Sequence, residues 1–126
     1  MILPMQINPR PLTDDEERVL RRILDADFRG VAALREQFVG FQVVGRCDCG
    51  CPSIDLQPRP GSARSDQAGR LAPVELLVTP VADEPPGGVI LFVDDGQLSY
   101  LEYVYYSEAP PSEWPSDDRL SRVGLR

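Results

Sequence analysis

The sequence predicts an α+β fold in which an N-terminal helical pair packs on an antiparallel sheet of about five strands. Apolar residues recur with helical spacing over residues 13–39, whereas strand-like runs separated by short turns occupy residues 41–106. No helical pattern lies between the strands, so tight turns rather than crossover helices must connect them. That order of elements is typical of an α+β domain with an antiparallel sheet.

The first helix follows an extended arm at residues 1–12, where prolines disfavour a helix. Thr13-Asp14-Asp15-Glu16 matches a capping box, in which the threonine hydroxyl and the Glu16 carboxylate satisfy free amides at the helix start. The acidic side chains also suit the positive end of the helix dipole. Four apolar residues then form one stripe: Val19, Leu20, Ile23 and Leu24. We therefore expect this helix to bury one face.

A second, short helix is predicted from Asp27, which is placed to cap its first turn. Val31, Leu34 and Phe38 repeat with helical spacing, and Gly40 is placed to end the helix. The two helices together form the predicted helical pair.

Five strand-like runs make up the predicted sheet. They lie at residues 41–47, 53–56, 72–79, 89–93 and 98–106. The turn Asp94-Asp95-Gly96 joins the last two runs into a hairpin, because glycine readily adopts the left-handed conformation that such a turn needs.

The remaining segments are expected to be irregular. Proline, glycine and serine recur in the polar loop at residues 58–70, which we expect to be mobile. The tail at residues 107–126 is rich in proline, with Trp114 as an apolar anchor. The whole chain, residues 1–126, has the length of a single domain.

Composition narrows the classes of function. The net charge is −7, from 20 acidic and 13 basic residues, which opposes nucleic-acid binding and suits a basic protein partner. The chain has no histidine, so mechanisms that need an imidazole are excluded, and we expect no enzymatic activity. No apolar stretch approaches the ~20 residues that cross a bilayer, so we expect no membrane partner and a cytoplasmic location. The oligomeric state stays open.

Three cysteines alternate in the run Cys47-Asp48-Cys49-Gly50-Cys51, and the chain has no fourth. Thiolates bind zinc well, but a closed structural site needs four ligands, so a carboxylate, a water or a second chain would have to complete it. Redox use and a purely incidental role are the alternatives. The run joins two strands, either through a three-residue loop with Cys47 and Cys51 facing each other or through a two-residue Cys49-Gly50 turn.

Aromatic and acidic residues late in the chain are the candidates for binding a partner. Glu102 lies inside the aromatic strand, where a carboxylate must face solvent or find a donor. Aromatic side chains are favoured anchors of interfaces, although they also pack within sheets. The candidates are Glu102, Tyr100, Tyr103, Tyr105, Trp114, Asp94 and Asp95. The two aspartates are also ordinary turn residues.

Two segments carry a resemblance to known proteins. Arg10-Pro11-Leu12-Thr13-Asp14-Asp15-Glu16-Glu17 precedes a leucine-rich helix, and a late hairpin closes on Gly96-Gln97-Leu98-Ser99-Tyr100-Leu101-Glu102. In this layout the chain resembles small uncharacterised bacterial proteins, some of which are similar to immunity proteins of polymorphic toxin systems. The resemblance covers about half of the chain, and the cysteine run has no counterpart in it. It implies an inhibitor of a basic toxin domain, and no functional residue is carried over.

Size, charge, the aromatic strand and the missing catalytic groups favour a small, acidic, non-catalytic protein-binding module of the immunity type, without a cofactor. The alternative is a thiolate metal-binding or redox module centred on Cys47, Cys49 and Cys51, with zinc as the metal.

Overall fold

The chain has the predicted α+β architecture, with a sheet that is larger than predicted. The computed structural model describes residues 5–124 except residues 39, 41, 68, 82 and 84, and the side chains of Met5 and Gln42 also lie outside the description. The described elements are β1 (Met5–Arg10), α1 (Asp14–Leu24), α2 (Val31–Gln37), β2 (Gln42–Arg46), β3 (Ile54–Gln57), β4 (Glu75–Val78), β5 (Gly87–Asp94), β6 (Gln97–Val104), a 3-10 turn (Asp117–Arg119) and β7 (Leu120–Val123). Residue 41, predicted to begin a strand, is not among the described residues.

Helix α1 begins with the predicted capping box. The Glu16 amide donates to the Thr13 hydroxyl at 3.2 Å, and the Thr13 amide donates to the Glu16 carboxylate at 2.9 Å. The same carboxylate accepts two hydrogen bonds from the guanidinium of Arg10, each 2.8 Å long. The start of the helix is therefore tied to the end of β1.

The prediction that Asp27 caps the second helix was wrong. Helix α2 begins after Gly30, which has a φ of +85° and provides no side-chain cap. A Cβ at this position would lie 2.2 Å from the Ser65 hydroxyl, so only glycine fits between the helix start and the loop that contains Ser65. The turn before α2 instead buries Phe28, whose carbonyl accepts from the Val31 amide at 3.1 Å.

The sheet has seven strands over the described residues, in the order β1-β2-β3-β6-β5-β4-β7, and every pairing between them is antiparallel. The two strands beyond the predicted five come from the segments expected to be an arm and a tail. Both lie at edges of the sheet, where a proline such as Pro9 is tolerated because one side of the strand needs no ladder partner. The register of β1 shifts between Gln6 and Arg10, on either side of that proline.

Both helices cover one face of the sheet and form a single core cluster with it. Alternate residues of β5 and β6 point into this core, as shown by buried Val89, Leu91, Leu101 and Tyr103. The stripe predicted for α1 is buried in the same cluster. The opposite face of the sheet stays partly exposed.

A buried glutamine ties the long loop to the sheet. The amide nitrogen of Gln37 donates to the carbonyls of Ala63 and Gly96 at 2.8 Å each, and its oxygen accepts from the Leu98 amide at 2.9 Å. The predicted Asp95-Gly96 turn is confirmed, with positive φ at both residues. Mobility of residues 58–70 stays a prediction, but the loop has specific anchors.

Candidate metal centre

The three cysteines lie in the connection between β2 and β3. The Cys47 amide donates to the Ser53 carbonyl at 3.1 Å, so these two residues form the neck of the loop. A turn over residues 47–50 follows, in which the Gly50 amide approaches the Cys47 carbonyl at 3.5 Å and Gly50 has a φ of +95°. Gly50 is left-handed as predicted, but Ser53 and not Cys51 faces Cys47 across the neck. The loop therefore covers residues 48–52, and both predicted connections, the three-residue loop and the two-residue Cys49-Gly50 turn, were wrong.

The loop gathers all three sulfur atoms at one place. Their Sγ atoms lie within 4.8 Å of one another, and the Sγ atoms of Cys47 and Cys49 are 2.9 Å apart. The Cys51 amide donates to the Cys49 sulfur at 3.4 Å. Cys49 is exposed, Cys47 is half-buried and Cys51 is buried, so the cluster runs from the surface into the protein.

Two of the three thiols differ in their roles: Cys47 donates a hydrogen bond and Cys49 accepts it. Burial and a hydrogen bond to Cys49 raise the pKa of Cys47 to about 12. Slight burial would raise the pKa of Cys49, but hydrogen bonds from Cys47, Cys51 and the Tyr105 hydroxyl outweigh it and lower that pKa to about 7. Cys49 is therefore the thiol that most readily becomes a thiolate.

Ser53 connects the cluster to the sheet, and sequence reasoning missed it. Its hydroxyl oxygen accepts from the Tyr103 amide at 2.8 Å and from the Cys51 thiol at 3.3 Å. Ser53 directly precedes β3, whose pairing with β6 brings its hydroxyl within reach of the Tyr103 amide, and no local motif around Ser53 indicates that contact. The serine is 1% exposed, so the contact fixes the buried end of the cluster.

Two of the predicted tyrosines lie near the cysteines. Donation of a hydrogen bond to Cys49 raises the pKa of Tyr105 to about 12. Burial, together with the negative charge of Cys47, Cys51 and Glu102, raises the pKa of Tyr100 to about 12. Both phenols therefore stay protonated at neutral pH and act as hydrogen-bond donors.

The other predicted partner-binding residues lie in three separate places and do not form one surface. Tyr103 and Trp114 are each 7% exposed and stack with ring centroids 5.8 Å apart, so they anchor the tail in the core. Asp94 bonds to Arg70 at 2.7 Å, and Asp95 bonds to Arg64, both near the turn at the other end of β6. Glu102 lies on the partly exposed face of the sheet.

Comparisons with known proteins give no relative for the chain: no family model, no curated protein and no solved structure matches it. Among the described residues, neither helix combines the length and the apolar character that crossing a membrane requires. Function must therefore be argued from the geometry of the chain itself.

Proposed function

We propose that the chain is a thiolate metal-binding module, with Zn²⁺ as the first ion to test. The observation that carries this proposal is the convergence of the three Sγ atoms within 4.8 Å of one another. Two sulfurs bound to one ion at ~2.3 Å each can lie at most about 4.6 Å apart. Small rotations of the three side chains are then enough to bring them onto one ion.

The fold supports the proposal by holding the ligands before the metal arrives. Cys47 is fixed by its backbone hydrogen bond to Ser53, and the thiol of Cys51 is fixed by the hydroxyl of the same residue. Groups that hold the metal ligands in position in this way raise metal affinity. Because the ligands must lose their protons, binding should also release protons and become tighter as the pH rises.

The test is a titration of the reduced chain with Zn²⁺ against a chromophoric chelator, followed by native mass spectrometry. We expect one ion per chain, or one per two chains where a second copy completes the site, and a higher melting temperature. Replacing all three cysteines by serine should remove the ion, whereas Asp48→Asn, a matched change in the same loop, should keep it. The proposal would be overturned if neither Zn²⁺ nor a second thiophilic ion, Cu(I), bound to the chain and if the melting temperature changed with neither the metals nor the chelator.

A second candidate function is binding of a basic protein partner, as the resemblance to immunity proteins implies. The observation that favours it is the partly exposed face of the sheet. Cross-strand pairing places Asp55 beside Tyr100 and Ile90 beside Glu102 on this face, and Phe92 contacts Tyr100 edge to face with centroids 5.9 Å apart. Acidic groups set among aromatic and aliphatic side chains suit a partner that carries cations and apolar anchors.

This second function is tested with the basic domain encoded beside the gene, if one is found there. At low salt, Glu102→Arg should slow association about tenfold or more, because reversal removes attraction on the contacting face. Glu36→Arg, an exposed residue of α2 on the helical side, is the control and should change the rate much less. An association rate that changed neither with salt concentration nor on Glu102→Arg would count against this function.

A further inference from the structure

We infer that the site of Cys47, Cys49 and Cys51 is a three-coordinate thiolate site that prefers Cu(I) to Zn²⁺. This inference rests on the proposed function, because it names the ion that the same three sulfurs would select. Three features of the structure carry it: the number of donors, their chemical type and the groups that surround them.

The number of donors is three. The chain has no histidine and no fourth cysteine. Within the part of the chain that the structure describes, no carboxylate joins the three sulfurs in a common ligand group, and the neighbouring Asp48 lies outside it. Structural zinc sites are almost always four-coordinate, so Zn²⁺ here would need a water or a foreign ligand in its fourth position.

The donors are also all soft. Thiolate ligands select Cu(I) and zinc among the metals that proteins use. Both ions have a filled d shell, but monovalent copper is satisfied by two or three thiolates, whereas divalent zinc is not. A protein that supplies three thiolates and nothing else therefore completes the coordination of Cu(I) and leaves that of Zn²⁺ incomplete.

The surroundings supply hydrogen-bond donors for the excess negative charge. Three thiolates on Cu(I) carry a net charge of −2, against −1 on Zn²⁺, so the copper complex depends more on donors to sulfur. Cys49 accepts from the Cys51 amide at 3.4 Å. Ser53, 3.3 Å from the Cys51 sulfur, can donate to it once that thiol is deprotonated.

The burial gradient gives the ion a route into this site. Cys49 is exposed and meets an incoming complex first, while Cys51 is 7% exposed and lies deepest. An ion can thus exchange from a solution thiol onto Cys49 and then onto the two inner sulfurs. Each exchange replaces one metal–sulfur bond by another, and the protein thiols release their protons.

The experiment compares the two ions on the same reduced, metal-free chain under anaerobic conditions. Cu(I) is titrated against a bathocuproine-type chelator and Zn²⁺ against a chromophoric zinc chelator, with native mass spectrometry for stoichiometry and X-ray absorption for coordination number. We expect one Cu(I) per chain, bound by three sulfurs, with an affinity at least about a thousandfold above that for Zn²⁺.

Two pairs of variants test the details. Cys51→Ser should leave two sulfurs around copper and lower the affinity, and Asp48→Asn should not. Ser53→Ala should weaken Cu(I) binding by about tenfold, in the range found for groups that support metal ligands, whereas Ser121→Ala, at an exposed position of β7, should not.

The possible outcomes separate the inference from the proposed function. The copper inference would be overturned if Zn²⁺ bound more tightly than Cu(I). It would also be overturned if copper were bound by only two sulfurs and with the same affinity in the Cys51→Ser variant. Either result would leave a metal-binding module. Failure to bind either ion would overturn both.

Discussion

The thiol of Cys47 donates a hydrogen bond to the sulfur of Cys49 across 2.9 Å. This contact makes two neighbouring thiols chemically unequal, because it keeps the proton on Cys47 and favours negative charge on Cys49. The pKa of Cys47 rises to about 12, chiefly through burial, and that of Cys49 falls to about 7. The difference is testable without any metal.

We predict that alkylation of the reduced chain modifies Cys49 first. The thiolate is the nucleophile, so the rate of modification by iodoacetamide should rise with pH and level off above the Cys49 pKa of about 7. Cys47 should react last. Fragment-ion mass spectrometry of the peptide that carries all three cysteines measures the order. First modification at Cys47 or Cys51 would contradict the assignment.

We predict that Tyr105→Phe moves the reactivity of Cys49 to higher pH. The substitution removes a hydroxyl that donates to the Cys49 sulfur, and the pKa of Cys49 should rise by about 0.5–1 unit, the equivalent of one hydrogen bond. Tyr106→Phe is the matched control, since Tyr106 is the next residue along the chain and is 64% exposed. Equal alkylation profiles for the two variants would show that Tyr105 does not support Cys49.

Local signals in the sequence predicted local structure well. The capping box at Thr13 and the turn at Asp95-Gly96 each lie within a few neighbouring residues, and both are present as predicted. The edge strands β1 and β7 were missed because their pairing partners lie far away in the sequence. The prolines in and near these segments also do not fit the usual pattern of a strand. Strand edges tolerate such residues, and short motifs do not reveal which segment becomes an edge.

The same contrast between local and long-range signals holds for the candidate site. Alternation of the three cysteines along one loop was enough to single them out as candidate ligands, and their sulfurs do lie close together. The contributions of Ser53 and Tyr105 depend on how β3 pairs with β6, and the sequence contains no local sign of that register. Similarly, Tyr103 and Trp114 were candidates for an interface. The tail folds back instead, and the ring of Trp114 stacks on that of Tyr103 inside the core.

We predict that Gln37→Met destabilises the fold by about 2–4 kcal/mol. Gln37 is fully buried and bonds to three backbone groups, those of Ala63, Gly96 and Leu98. Methionine has a similar volume but leaves the Ala63 carbonyl and the Leu98 amide without the Gln37 side chain, whereas the Gly96 carbonyl still accepts from the Ser65 amide. Each unsatisfied buried group costs about 1–3 kcal/mol before relaxation. Urea unfolding measures the change.

Glu36→Met, next to it on the exposed side of α2, is the control and should change stability by less than about 0.5 kcal/mol. Similar losses in the two variants would mean that the effect comes from helix propensity and not from the hydrogen bonds of Gln37.

We predict that Glu16→Gln costs about 1–2 kcal/mol at neutral pH and that this cost disappears in acid. Burial acts to raise the pKa of Glu16, but hydrogen bonds from Arg10 and Thr13 together outweigh it and hold that pKa below its ordinary value. A group whose pKa is depressed by folding stabilises the fold above its unfolded pKa, and this stabilisation is lost as the pH falls through its folded pKa.

Urea unfolding of the parent chain and of Glu16→Gln at neutral pH and at about pH 2–3, well below the ordinary glutamate pKa of ~4.3, checks this prediction. The two proteins should differ at neutral pH and converge in acid, where Glu16 is protonated and no longer pairs with Arg10. Glu17→Gln is the matched control, because Glu17 is half exposed and its ion pair with Arg21 is 3.4 Å long, so its loss should cost at most about 0.5 kcal/mol. A stability gap for Glu16→Gln that stayed constant with pH would show that the capping geometry, and not the charge, stabilises the junction of β1 and α1.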